Sequence, residues 1–265
     1  MIKFFRKIRF DLMEKNKTGK YFKYAIGEIL LVVIGILIAL QINNKNDERK
    51  AEESVNKFYE ATILDLDEAS NATRTQINWF KMYQDLNFSL YEQSRKQIPD
   101  DSTLNTNLLI WTHSFRPLIT DNYESKFDQI NNDKIQELFR DILWREQLVV
   151  EAIEEWNLMK IGTLRPFFFK KNINNVDESF SAERYKFIMY EVELLNKDKL
   201  IAHYNTSEFD QILYELRHKT SWAIECFKGL EASNQNLKLA LEYYLEGDYI
   251  NLNKIKSLKY YMKEE

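Results

Sequence analysis

The sequence predicts an all-α protein in which a single N-terminal transmembrane helix continues into an extracytoplasmic multi-helix bundle. Three observations carry this: an apolar run long enough to span a bilayer, a basic stretch in front of it, and a long remainder almost free of glycine and proline. The expected divisions are a basic amphipathic cytoplasmic tail over 1–20, a transmembrane signal anchor over 21–43 and a helical periplasmic domain over 44–265.

The anchor lies in "YAIGEILLVVIGILIALQINN", Tyr24 to Asn44. Twelve residues from Ile29 to Leu40 are apolar or glycine, and among the nineteen from Tyr24 to Ile42 only Glu28 and Gln41 are polar. A spanning helix needs roughly 20 such residues at about 1.5 Å each. A core helix of a globular protein seldom keeps so apolar a run on every face. A cleaved signal peptide fits poorly, since no small-x-small site follows in "IALQINN". An uncleaved signal anchor fits better.

Flanking charge sets the expected orientation. Eight lysines and arginines precede Tyr24 against Asp11 and Glu14, giving +6 there and −10 on residues 24–265 of a chain that is −4 overall. The basic tail is expected to stay in the cytoplasm and the acidic remainder to be exported from the inner membrane. Within the tail, Ile2, Phe5, Ile8 and Leu12 recur at helical spacing, which leaves Lys3, Arg6, Lys7 and Arg9 as candidates for contact with anionic lipid, each basic residue adding about 1 kcal/mol. Membrane lipid is favoured over nucleic acid as the partner of this charge, because a tethered tail always has the lipid surface within reach.

Glu28 has two readings. Side chains lean toward a helix N-terminus, so it can reach back toward the headgroups and Lys23. Alternatively it contacts a second transmembrane helix beside a close-packing face at Gly35-x-x-x-Ala39.

A basic start, "MIKFFRKIR", followed by the anchor and an "ERK" helix, resembles an uncharacterised Bacteroidota family of single-span membrane proteins built on a domain of unknown function. "DNYESKFDQINND" and "LRPFFFKKN" extend the likeness more loosely. The resemblance implies an inner-membrane anchor with a helical periplasmic domain and implies no activity. Where the family pattern places a tryptophan after "INN", this chain has Lys45, so an interfacial ring that would fix the depth of the helix is missing.

Beyond the anchor only three glycines and three prolines occur, and no run alternates apolar and polar residues over a strand length. From Asn44 to about Gln97 the spacing of Tyr59, Ile63, Leu66, Thr73, Ile77, Phe80 and Tyr91 predicts a helix that packs within a bundle. Pro99 in "IPDDS" ends it. Short helices are expected over 103–114 and 123–130. A long one follows over 133–164, its apolar face carried by Ile135, Leu138, Phe139, Ile142, Leu148, Val149, Ile153 and Trp156, until Pro166 stops or kinks it. Residues 172–180 read as a loop, with helices near 181–195 and 198–204. A final long helix starts at a Thr206 or Ser207 cap and ends at Gly247, and a short amphipathic tail closes the chain.

No phosphate-cradling glycine cluster and no G-x-S-x-G elbow is present, which disfavours nucleotide enzymes and the commonest serine hydrolases. Glu215-x-x-His218 is the one E-x-x-H, where dinuclear carboxylate sites need two with two more glutamates. A surface or capping histidine is the simpler reading. Cys226, the single cysteine, reads as a small buried hydrophobe. Three consecutive rings, Phe167, Phe168 and Phe169, cannot share one helix face, so with Arg165 they form a candidate interaction surface for a peptide or glycan. The expected function is protein–protein interaction or envelope scaffolding, with a protein partner or homo-oligomer, no cofactor and no catalytic activity. The alternative is a periplasmic ligand sensor or an enzyme of unrecognised type.

Overall fold

The computed structural model describes residue 10 and residues 18–101, 103–181, 183–184 and 192–256. All regular structure among them is helical, apart from one isolated antiparallel bridge between Asn174 and Leu195. The chain divides into two units, Met1–Phe58 and Tyr59–Glu265. Helix α1 (Thr18–Ser94) is 77 residues long and contains no proline. In the first unit the large apolar side chains of this helix from Ile26 to Ile42 are all exposed. That stretch is long and apolar enough to cross a membrane.

The second unit is organised by three long helical segments: the part of α1 from Tyr59 onward, α3 (Asp133–Met159) and α7 (Ser207–Leu245). The α1 segment and α7 run antiparallel. Tyr59 meets Tyr244 edge-on at 5.0 Å, Lys238 pairs with Asp67 at 2.6 Å, Arg74 with Glu231 at 2.7 Å and Arg95 with Asp210 at 2.6 Å. Helices α3 and α7 are also antiparallel, with Ser233 donating to Asp141 at 2.6 Å and Lys219 pairing with Glu155 at 2.6 Å. It follows that α1 and α3 are parallel, and the intervening chain must return the length of the bundle.

That return is where the structure departs most from expectation. The helix expected over 103–114 forms only a 3-10 turn at Thr106–Leu109 before the backbone extends to Pro117. Helix α2 (Leu118–Tyr123) follows, then a 3-10 turn at Glu124–Gln129, where a helix over 123–130 was expected. The segment runs antiparallel to α3, with Ile110 beside Arg165, His113 beside Asn157 and Ile119 beside Glu146. Together these elements make an up-down-up-down arrangement whose second member is an irregular strap.

Helix α3 begins at Asn132, whose side chain accepts from Ile135 N at 3.0 Å. Pro166 does not end it. A π turn over Lys160–Leu164 carries the chain into α4 (Arg165–Lys170), with Arg165 N bonded to Lys160 O. The wider turn absorbs the missing proline N–H that an unbroken α-helix could not. Asn172, at φ 55°, closes α4, and α5 (Val176–Ser181) replaces part of the expected loop. The helix expected near 181–195 falls mostly outside the described residues, and its last residues are extended at the Leu195 bridge. Helix α6 (Lys197–Ile201) leads to α7, capped by Thr206 through Phe209 N. Gly247 at φ 75° ends α7, placing Asp248 N on Tyr243 O at 2.8 Å, and α8 (Tyr249–Leu252) follows.

Candidate functional site

The residues singled out from sequence fall in three places. Glu28 is half-buried on α1, Ala39 is exposed, and a Cβ added at Gly35 would meet nothing within 4 Å, so this face of the helix is open to close approach. Lys3, Arg6, Lys7 and Arg9 lie outside the described residues. The aromatic run divides. Phe167 and Phe168 are interior at 3% and 1% exposure while Phe169 stands out at 79%. Phe167 stacks on Phe209 at 5.9 Å, and Arg165 Nη2 donates to Ile110 O at 2.7 Å, so both serve packing rather than display. The three rings therefore share no common surface, and Phe169 is the one of them that faces outward.

The most concentrated polar chemistry lies under the strap. An irregular backbone has no ladder of its own, so its buried N–H and C=O groups need partners from elsewhere. Helix α3 and the π turn supply them. Glu146 accepts Ile119 N at 3.0 Å and Thr120 N at 2.7 Å, capping α2. Asn157 brackets His113, accepting its N–H at 3.0 Å and donating to its carbonyl at 2.7 Å. Lys160, 1% exposed, donates to Leu108 O and Trp111 O, both at 2.5 Å. Its ammonium lies 3.9 Å from the Trp156 ring centroid and 4.6 Å from that of Tyr83, a cation–π box.

Burial, then the charge of Arg165, pulls Lys160 well below its ordinary value, while the carbonyls and ring faces act in the opposite sense. Burial followed by the Lys160 charge lowers His113 to about 4. The His113 ring is held between the Tyr83 hydroxyl at 2.7 Å and Gln76 Oε1 at 3.2 Å. With Nδ1 donating to the Gln76 oxygen, Nε2 accepts from Tyr83, which is the neutral ring that this environment favours. Burial pushes the Glu146 carboxyl up, although its two backbone donors oppose the shift.

Sequence reading passed over Glu146 and Lys160, yet a signal existed. Residues 142, 146, 149, 153, 156 and 160 follow one helical stripe. Two charged residues on an otherwise apolar stripe mark a face that meets polar backbone.

A second polar site lies where α1 ends. Lys96, at φ 57°, turns the chain, and Asn205, at φ 56°, turns it before α7. Asn205 N donates to Ser94 Oγ at 2.6 Å, and Arg95 holds both Asn205 and Asp210. Between these turns opens a cleft of about 790 Å³, and a recess of about 100 Å³ shares four of its wall residues, Gln93, Asp100, Ile201 and Tyr204.

The E-x-x-H pair gathers no further ligands. His218 stacks on Tyr214 at 6.4 Å, and among the described residues no three His, Cys, Asp or Glu side chains are placed to hold a metal ion. Cys226 is buried at 2% exposure, and burial pushes its thiol up to about 12, as expected of a small hydrophobe rather than a nucleophile. Comparison with protein-family models, with curated proteins and with solved structures finds no match.

Proposed function

We propose that this chain is a single-pass inner-membrane protein, its N-terminus cytoplasmic and its helical domain periplasmic, that works through protein–protein contact or envelope scaffolding and performs no catalysis. The single observation that supports it best is the uncovered apolar surface of α1 from Ile26 to Ile42. A contiguous apolar surface of that length exceeds what a soluble monomer exposes, and each large aliphatic side chain gains about 1.5–3 kcal/mol on leaving water. Charge asymmetry across the segment supports the orientation, and the anchor residues support membership of the Bacteroidota family they resemble.

A reporter active only in the periplasm is expected to work when fused after Glu265, and protease added to spheroplasts is expected to digest the domain. Protection of the domain in sealed spheroplasts would reverse the orientation.

Glu28, with Gly35 and Ala39, is proposed as a helix-association face, to a second copy or another anchor. Glu28→Gln is expected to keep cross-linked species at wild-type abundance in membranes, and Glu28→Leu and Gly35→Ile to reduce them. Wild-type abundance in both of the latter variants makes Glu28 an interfacial residue only. A second reading, a ligand-sensing domain, is favoured by the cleft beside Lys96 and Asn205.

A further inference from the structure

We infer that a groove between the C-terminal part of α1 and the N-terminal part of α7 binds a free amino acid with a large apolar side chain. The pocket, of about 320 Å³, lies at the small end of the usual range for small-molecule sites. Phe88 and Tyr91 of α1 and Tyr214 of α7 line it, and all three rings are exposed. The buried Leu213 adds to the apolar lining. Aromatic faces gathered at one opening take an apolar side chain out of water.

Two of the lining side chains carry charge with no partner among the described residues. Arg217 lies over the Phe88 ring, 4.7 Å from its centroid, and makes no hydrogen bond or ion pair with any of them. A guanidinium engaged through its face keeps its N–H edge for a carboxylate, which it meets with two parallel bonds. The Glu92 carboxylate likewise has no hydrogen bond or ion pair among the described residues. The third charged group on the wall, Asp210, is taken by Arg95 at 2.6 Å and adds no net charge.

Phe88 and Glu92 stand four residues apart on α1, so the guanidinium over Phe88 and the Glu92 carboxylate are spaced by one turn of helix, about 6 Å along the groove. An α-amino acid spans that interval with its carboxylate on Arg217 and its ammonium on Glu92, which lays its side chain against the rings. A simple anion faces Glu92 and a simple cation faces Arg217, whereas a zwitterion matches both. A neutral sugar uses the aromatic faces but leaves both charges unmatched. The Arg95–Asp210 pair ties α1 to α7 at one end of the groove, so the walls are set before a ligand arrives. The site goes beyond the anchoring and contact roles proposed above and stands whichever way the topology experiment falls, because it needs only the folded chain.

Full-length protein in detergent micelles, titrated calorimetrically with L-phenylalanine, tests the site. The controls are 3-phenylpropionate, which lacks the ammonium, phenethylamine, which lacks the carboxylate, glycine, which lacks the ring, and N-acetylglucosamine. L-phenylalanine is expected to bind saturably and about tenfold or more tighter than each control. Arg217→Gln, Glu92→Gln and Tyr214→Ala are each expected to weaken it by about tenfold, one contact's worth. Phe169→Ala, at an exposed ring on α4, is expected to leave it unchanged. Variants are compared only where far-ultraviolet circular dichroism matches wild type, and the ligand series on wild type decides without them. Absence of saturable L-phenylalanine binding, equal binding of any control, or unchanged affinity in Arg217→Gln or Glu92→Gln overturns the inference.

Discussion

Trp156→Ala is expected to lower the unfolding free energy of the full chain by about 3–5 kcal/mol, the range for deleting a buried aromatic side chain. Trp156 is 1% exposed, and its ring lies 5.1 Å from Phe80 and 4.8 Å from Tyr83. Its Nε1 donates to Thr220 Oγ1 at 3.0 Å, tying α3 to α7, and its face carries the Lys160 ammonium. Truncation therefore leaves a cavity where α1, α3 and α7 meet and removes a bond at the same point. Denaturation followed by circular dichroism in detergent should show a lower midpoint at unchanged slope. Phe169→Ala, at a ring 79% exposed, is the control and should stay within about 0.5 kcal/mol of wild type.

Lys160→Met keeps the stem and deletes the donors, so Leu108 O and Trp111 O lose the partner that holds them. A loss of about 2–4 kcal/mol is expected, two unsatisfied carbonyls partly offset by removal of a desolvated ammonium. The pH dependence separates this from a packing defect. Both bases of the cluster sit below their ordinary values of 10.5 for Lys160 and 6.5 for His113, the latter at about 4. Between the folded and unfolded values the unfolded chain binds more protons, so stability rises with pH. His113 acts in the window from about 4 to 6.5, and Lys160 in one that closes near 10.5. In Lys160→Met the upper slope should vanish. The lower one should shrink, since the charge acting on His113 is gone. An unchanged pH profile would show that Lys160 is not the group responsible.

Helical spacing made the long elements legible before any coordinates. Thr206 and Gly247 bound α7, and the apolar stripe of α3 buries as its periodicity requires except at Leu148, which stays half-buried at its edge. Local signals failed at the strap, because what fixes Leu108, His113 and Ile119 is supplied by Lys160, Asn157 and Glu146 on another element. No propensity within 103–130 encodes that. The aromatic run failed for a related reason. Three successive rings do point to different sides, but the π turn and α4 place two of those sides inside.

The strap also fixes an order of events during synthesis. Every side chain that fastens its backbone from α3, the π turn or α4 lies C-terminal to the group it holds, by 26 residues at Thr120 and by 55 at Ile110. A chain emerging N-terminus first has the α1 partners of the strap, Asp65, Gln76 and Tyr83, already made, but exposes the strap before the groups that hold its backbone from the C-terminal side exist. Through that interval its carbonyls and amides remain bonded to water, and the segment is open to proteases or chaperones. Its closure waits for Lys160 and Arg165, and the bundle itself waits longer, for α7, the last long helix made and the one that pairs with both α1 and α3. Because these are contacts between distant parts of the chain, assembly is a late event set by the arrival of α7 rather than by the speed at which any one helix coils.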